Sequence, residues 1–340
     1  MGLQIGDIVP RTDVSFSELK GKTLAVDAFN TIYQFISTIR QPDGTLLMDK
    51  QGRVTSHLSG LFYRNVNLLV EGIKLIYVFD GKPPALKYKT SEARQEMKNE
   101  AREKYERAKE EEDVESMGKY SRQLAYLNSE MVEEAKELLE AMGIAVVQAP
   151  SEGEAQAAWL AKNNEAYAVA SQDYDSLLFG ASRLIQNLTM ARKRKTASGF
   201  IYISPEIIDL QKTLNNLQLS HDQLISLGIL VGTDYNPGGL KGIGPKKSLA
   251  LVREFKQPAI IFKNLQEQID KQENKFDWQE IFELFHKPNV DAKAKIVFPK
   301  PDYEKVKRIL LEHDFSEERI DNQLAKLLEI KERSKQRTLF

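Results

Sequence analysis

The sequence has no cysteine, which excludes disulfides and thiolate zinc centres. Histidine is scarce: His57, His221, His286 and His313 stand far apart, so no histidine metal motif is present. There is no Gly-x-Ser-x-Gly elbow for an acyl-transfer serine. No long apolar run occurs either. The longest, around residues 224–231, falls well short of the roughly 20 residues a bilayer demands. No signal-peptide pattern opens the chain. Met1-Gly2 would start a myristoylation signal, but Gly6 stands where Ser or Thr is required. These absences fit an intracellular protein with no membrane partner. Net charge of one sign is missing as well, at −1 overall.

What is present is a chain of 340 residues, 41% hydrophobic and 29% charged. That length and apolar content support a sizeable core in one large domain, or a core carrying insertions. The charge is unevenly spread. Residues 81–110 hold nine Lys/Arg against six Glu, residues 183–200 five basic residues and no acid, and residues 236–257 five against one. A phosphate-binding face can therefore coexist with acid gathered elsewhere.

Four short apolar runs read as strands: Leu24-Ala25-Val26-Asp27, residues 74–80, Ala145-Val146-Val147 and Tyr167-Ala168-Val169-Ala170. Helical periodicity follows over residues 28–39, over 58–70 and from about Ser151. Residues 90–142 read as helical throughout, polar all round at first and amphipathic by Met131. Strands alternating with helices predict an α/β fold with a mainly parallel sheet. After about residue 205 the pattern turns helical, and Gly238 to Lys247 reads as a glycine-rich hairpin between helices. From Ser334 the tail is polar and expected to be mobile.

The acids carry the chemistry. Asp27, Asp80 and Asp173 each sit at or just past a predicted strand end, the edge where open parallel sheets bind ligands. Asp173 and Asp175 are spaced to point the same way from an extended segment. Glu152 and Glu154 open a helix, and Asp234 follows one. Gathered together, seven such acids repel and raise each other's pKa unless cations intervene. Magnesium favours such oxygen donors, and two ions can activate water and stabilise the leaving oxygen of a phosphodiester. Each acid also has a structural reading. Asp27 can cap the next helix, Ser151-Glu152-Gly153-Glu154 matches a capping box, and Asp234 suits an Asx-turn. The repeated strand-end placement favours the shared site.

In this order, Val26-Asp27-Ala28, Tyr77-Val78-Phe79-Asp80-Gly81-Lys82-Pro83-Pro84, Ala149-Pro150-Ser151-Glu152-Gly153-Glu154-Ala155, Ser171-Gln172-Asp173-Tyr174-Asp175, Gly232-Thr233-Asp234-Tyr235 and Gly242-Ile243-Gly244-Pro245-Lys246 resemble the structure-specific 5′ nucleases. The likeness is to the flap endonucleases of archaea and eukaryotes in particular, and it covers nearly the whole chain. It implies one nuclease domain over residues 1–335, with a helical arch inserted at about 86–128 and a helix–hairpin–helix at about 220–257, then a tail over 336–340. The implied activity is 5′ flap endonuclease and 5′–3′ exonuclease cleavage of branched DNA, in replication and repair, by a monomer. The compartment would be cytoplasmic in an archaeon and nuclear in a eukaryote.

By the same resemblance, the seven carboxylates hold two Mg2+ ions, a role Mn2+ can also fill. Lys87 and Arg94 form a basic pair at the arch foot, facing the scissile phosphate. Tyr33 stacks on a nucleotide near the cut, and Gly2 lies near the active site. Gly242, Gly244, Lys246 and Lys247 grip the duplex backbone, with K+ held at the hairpin. Thr55 and Arg319 pocket a one-nucleotide 3′ flap. Gln336, Leu339 and Phe340 resemble the start of a sliding-clamp motif, which in the family continues to a pair of aromatics; here Phe340 follows Leu339 directly, which implies weakened clamp binding.

Two rival classes compete. A phosphatase acting on small esters would place Asp27 after a strand in the same way, but Phe29 occupies the second position of the Asp-x-Asp pair that one large phosphatase class needs. A non-catalytic DNA-binding adaptor for the clamp would have no use for the complete acid set. A phosphate loop at residues 239–248 is excluded, because Pro245 stands where Lys must follow the second Gly.

Overall fold

The computed structural model describes residues 2–41, 44–87, 100, 103–105, 107–108, 113, 116, 126–189, 193–196 and 199–337. Most of the expected arch, Arg94 included, lies outside the described residues, as do Leu339 and Phe340.

A seven-stranded sheet forms the centre, in the order β1-β9-β6-β5-β2-β3-β4. Its strands are β1 (Thr12–Asp13), β2 (Thr23–Asp27), β3 (Lys74–Phe79), β4 (Ala145–Gln148), β5 (Ala168–Ala170), β6 (Arg183–Gln186) and β9 (Glu206–Asp209). The pairs β2–β3, β2–β5, β3–β4 and β5–β6 are parallel, while β9 runs antiparallel to β6 and β1. The central strands are apolar because both faces are covered. Leu24, Val26, Leu75, Tyr77, Ala168 and Ala170 pack into one core. Ala25, Ile76, Val78 and Val169, alternating with them, pack into the other. On the first side lie α1 (Ala28–Thr38), α2 (Ser56–Val70), α3 (Ser129–Ala141), α11 (Tyr303–Glu312) and α12 (Glu317–Arg337). On the second lie α4 (Gly153–Lys162), α5 (Asp175–Leu178), α6 (Leu210–Leu217), α7 (His221–Val231), α8 (Pro245–Phe255), α9 (Pro258–Lys271) and α10 (Trp278–His286).

Several expectations need correction. Helix does not run unbroken from 90 to 142: Asp113 and residues 126–128 are non-helical, and Asn128 caps α3 by accepting the Met131 N–H. The chain after 205 first forms strand β9. A separate hairpin, β7 (Lys193–Thr196) and β8 (Gly199–Tyr202), was not anticipated. Glu154 makes no capping box. Helix α4 starts with Glu152 as its cap residue, and Glu154 instead accepts the Ser176 N–H at 2.7 Å. The backbone stays helical through Arg337, past the expected start of the tail at Ser334. Among the described residues, no helix is long and apolar enough to cross a membrane.

Candidate functional site: an acidic cavity at the strand ends

The chain order β2, β3, β4 steps outward from the sheet centre. Helix α4 then carries it back to β5 on the other flank of β2. Ligand crevices form at such a reversal, outside the carboxyl ends of parallel strands. Here a cavity of about 270 Å3 opens at that edge, walled by Asp27, Asp80, Glu152, Glu154, Asp173, Asp175 and Asp234, with Lys87, Tyr33, Phe29, Asn30, Phe179 and Tyr235. All seven acids singled out in the sequence face this one space.

Each acid is placed by its local backbone. Asp27 ends β2, and its Oδ1 accepts the Asn30 N–H at 3.0 Å, so it caps α1 as well as facing the cavity. Asp80 follows β3 and accepts the Gly153 N–H at 2.6 Å. A Cβ on residue 153 would sit 2.6 Å from that same Asp80 oxygen, so only glycine lets α4 begin so close. Asp173 accepts the Asn30 amide at 2.6 Å. Asp175 opens α5, and Tyr174 before it is helical at ψ −6°. The two aspartates therefore share the cavity without the extended segment their spacing suggested. In the turn that carries Asp234, Asn236 Oδ1 accepts both the N–H and the hydroxyl of Thr233.

Burial and mutual repulsion govern the charges. Asp27 is pushed up to about 8, first by burial and then by Asp80. Burial likewise raises Asp80 and Glu152, with Lys87 opposing in both. Glu154 and Asp175 rise well above the ordinary carboxyl range, from burial and then from Asp175 and Asp234 respectively. Lys87 sits among them, its Nζ 2.6 Å from Glu152 and 3.8 Å from Asp234. Burial works against its ammonium, but Glu152 and Asp80 more than offset this and push its pKa up. Clustered acids with raised pKa values in a cleft are a functional signature.

The donor set fits a hard divalent cation. All seven donors are carboxylates, and Asp175 Oδ1 is buried with no hydrogen-bond partner among the described residues. A buried acceptor left unmade is costly, and a cation would satisfy it. No three of the acids are drawn close enough to form a ready-made metal cluster among the described residues; they line an open basin.

The other expected residues are placed as follows. Tyr33 is 37% exposed at the cavity rim. Gly2 abuts the site so closely that a Cβ would lie 2.5 Å from Asp173 Oδ1, and the neighbouring Leu3 N–H hydrogen-bonds Asp175. The helix–hairpin–helix is α7, a turn and α8. Gly242 takes φ +83° there, and Gly244 caps α8 without a side-chain hydrogen bond. Lys246 and Lys247 are exposed. Thr55 precedes α2 and Arg319 lies in α12, on the other side of the sheet from α4 and α7. Gln336 lies in α12. Asn30, Phe29 and Phe179 wall the cavity and were missed. The spacing of Asn30 three residues past Asp27 was the available signal. The basic stretch at 183–200 is in part structural, since Arg183 stacks on Tyr167 at 4.8 Å and pairs with Asp209 at 3.5 Å.

Fold and cavity together define an XPG-type protein: the XPG N-terminal domain matches residues 5–101 and the XPG I-region residues 143–234. Curated relatives narrow this further. The chain is 52% identical to flap endonuclease 1 of Pyrococcus furiosus, covering 100% of this chain and 98% of that one. It is 48% identical to flap endonuclease 1 of Saccharolobus solfataricus, with 96% and 94% covered. It therefore belongs to the flap endonuclease 1 family. Among solved structures, flap endonuclease-1 from Methanococcus jannaschii superposes with TM-score 0.75 at 41% identity, over 96% of this chain and 98% of that one. The catalytic core of Rad2 in complex with DNA substrate matches with TM-score 0.68 at 26% identity, over 95% and 97%.

Proposed function

We propose that the protein is a structure-specific 5′ flap endonuclease, with 5′–3′ exonuclease activity, acting on branched DNA in replication and repair. The observation that carries this reading is the convergence of seven carboxylates and Lys87 on one cavity at the strand ends. The acids hold two divalent cations, magnesium by preference. When bound, those ions supply activation of water and neutralisation of charge on the leaving oxygen.

The chain's own residues do the rest. Lys87, held against Glu152, presents its ammonium to the scissile phosphate, and the resemblance gives Arg94 the same role. Tyr33 offers an aromatic face at the cavity rim, on which the base beside the cut stacks. The hairpin at Gly242–Gly244 turns backbone N–H groups and the start of α8 toward duplex phosphates, with a potassium ion held in the same turn. Thr55 and Arg319 receive a one-nucleotide 3′ flap. Contacts of this kind read junction shape rather than base sequence. The protein works as a monomer inside the cell, and Gln336, Leu339 and Phe340 supply a partial, weakened contact to a sliding clamp.

Asp175 gives the sharpest test, because its unpartnered oxygen points to a cation. The variant Asp175→Asn is expected to lose cleavage by at least about 1000-fold, the scale of a lost electrostatic stabiliser of the transition state, while binding of flap DNA stays within a few-fold. Cleavage close to wild type would remove the acids from the mechanism.

A further inference from the structure

Away from the acidic cavity, the described structure buries a second polar cluster. His57, in the first turn of α2, is fully buried, and His313, just past α11, nearly so. Glu134 of α3 bridges them. Its Oε2 lies 2.9 Å from His57 Nε2, and its Oε1 lies 3.4 Å from His313 Nε2. His313 Nδ1 faces Asp49 Oδ2 at 3.3 Å. Asp49 in turn accepts Arg53 Nε at 2.7 Å and the N–H groups of Gln51 and Arg53, each at 2.9 Å. Arg53 Nη2 donates to the Glu312 carbonyl at 2.7 Å, and the Lys50 N–H donates to Asp314 at 2.7 Å.

The cluster ties four separate stretches together: the turn at 49–53, the start of α2, the middle of α3 and the link from α11 to α12. Apolar packing is non-directional and cannot fix such a junction alone. A buried polar network is directional, and costly when half satisfied. Both Nδ1 atoms are buried without a hydrogen-bond partner among the described residues, although His313 Nδ1 lies 3.3 Å from Asp49 Oδ2. Glu134 reaches both histidines, while Asp49 faces His313. In sequence, the cluster's histidines neighbour the two groups read above as the 3′-flap pocket. Thr55, two residues before His57, is buried with its hydroxyl unused in capping α2, and Arg319 follows His313 into α12, exposed.

We propose that Glu134, acting through His57 and His313, is a positioning residue that sets Thr55 and Arg319 to admit one unpaired 3′ nucleotide, and so determines preference for double-flap junctions. The proposal rests on the reading of Thr55 and Arg319 given above, which makes no use of Glu134, His57 or His313.

The test compares single-turnover cleavage of two DNAs, a 5′ flap junction with a one-nucleotide 3′ flap and the same junction without it. Glu134→Ala is expected to lower the preference for the first about fivefold or more, the scale of one or two hydrogen bonds. Its rate on the second should change less than about twofold. Glu134→Gln should restore most of the preference. Its carbonyl can accept from His57, while its amide donates to His313 Nε2 and His313 Nδ1–H turns to Asp49. His313→Phe, which keeps the ring and removes both nitrogens, should repeat the loss and stands in if Glu134→Ala melts too low to assay. An unchanged ratio, equal slowing on both DNAs, or failure of Glu134→Gln to outperform Glu134→Ala would overturn the proposal. Arg319→Ala separates the two layers. If it collapses the preference while Glu134→Ala does not, positioning by Glu134 is wrong and the pocket stands. If neither changes the ratio, the pocket reading falls and the proposal falls with it.

Discussion

Asp27 holds two roles in one carboxyl. One oxygen takes the Asn30 N–H and starts α1, and the group also faces six other acids across the cavity. Its pKa stands at about 8 in the fold against 3.8 as the ordinary value. Between those values the folded chain keeps a proton that the unfolded chain has released, so stability falls as pH rises. The contribution is complete below about 3.8 and is lost as pH passes through about 8. Glu154 and Asp175 act in the same direction. In chelator, stability is therefore expected to fall from about pH 5 to about pH 8, by up to roughly 1.4 kcal/mol per pH unit for each such group, and the melting temperature with it. Asp27→Asn should flatten the slope. Added magnesium should raise the melting temperature more at about pH 8 than at about pH 6, because fewer protons must be displaced. Thermal melts across pH, with and without magnesium, check both; a flat chelator profile would contradict the burial argument.

At the scale of elements, the turn between α7 and α8 starts α8 without a side-chain cap. Pro245 takes the first helical position of α8, where its missing N–H costs nothing, and Gly244 supplies no side chain to cap the turn. Lys247 bonds the Gly242 carbonyl at 3.1 Å and braces the loop. Replacing Lys246 and Lys247 by Ala should weaken duplex binding alike on all sequences and lower the salt slope by about 1 per lysine. Titrations at several salt concentrations measure it, and sequence-dependent loss would argue against a backbone contact. The elements legible in the sequence were those with one dominant cause. Strands β2 to β5 are apolar because they are buried on both faces. Strands β6 and β9 escaped notice because they are short and begin or end in Arg183, Glu206 and Asp209, and β1 is only Thr12–Asp13. The capping box read at Ser151 formed instead at Ser220 and Gln223. Helix α4 starts at Gly153, where the close approach to Asp80 fixes it, and that is a tertiary constraint which local pattern does not carry.

Over the whole molecule, the acids range from Asp27 to Asp234 and come from strand ends, a helix start and a turn between helices. Their convergence follows from the sheet's strand order, in which β2 lies between β3 and β5, so the chain's return to β5 closes the cavity. That much could be inferred from repeated strand-end aspartates. The walls contributed by Asn30, Phe29 and Phe179 could not, because their side chains enter only once α1 and α5 are docked. The cavity's proposed action is hydrolysis of a phosphodiester chosen by junction shape. It is tested most directly by offering the protein three labelled DNAs, a double flap with a one-nucleotide 3′ flap, plain duplex and single strand, each with magnesium and with chelator. Magnesium-dependent cleavage is expected at the flap junction, with the other two DNAs left largely intact. Tight binding of the flap without cleavage under any of these conditions would contradict it.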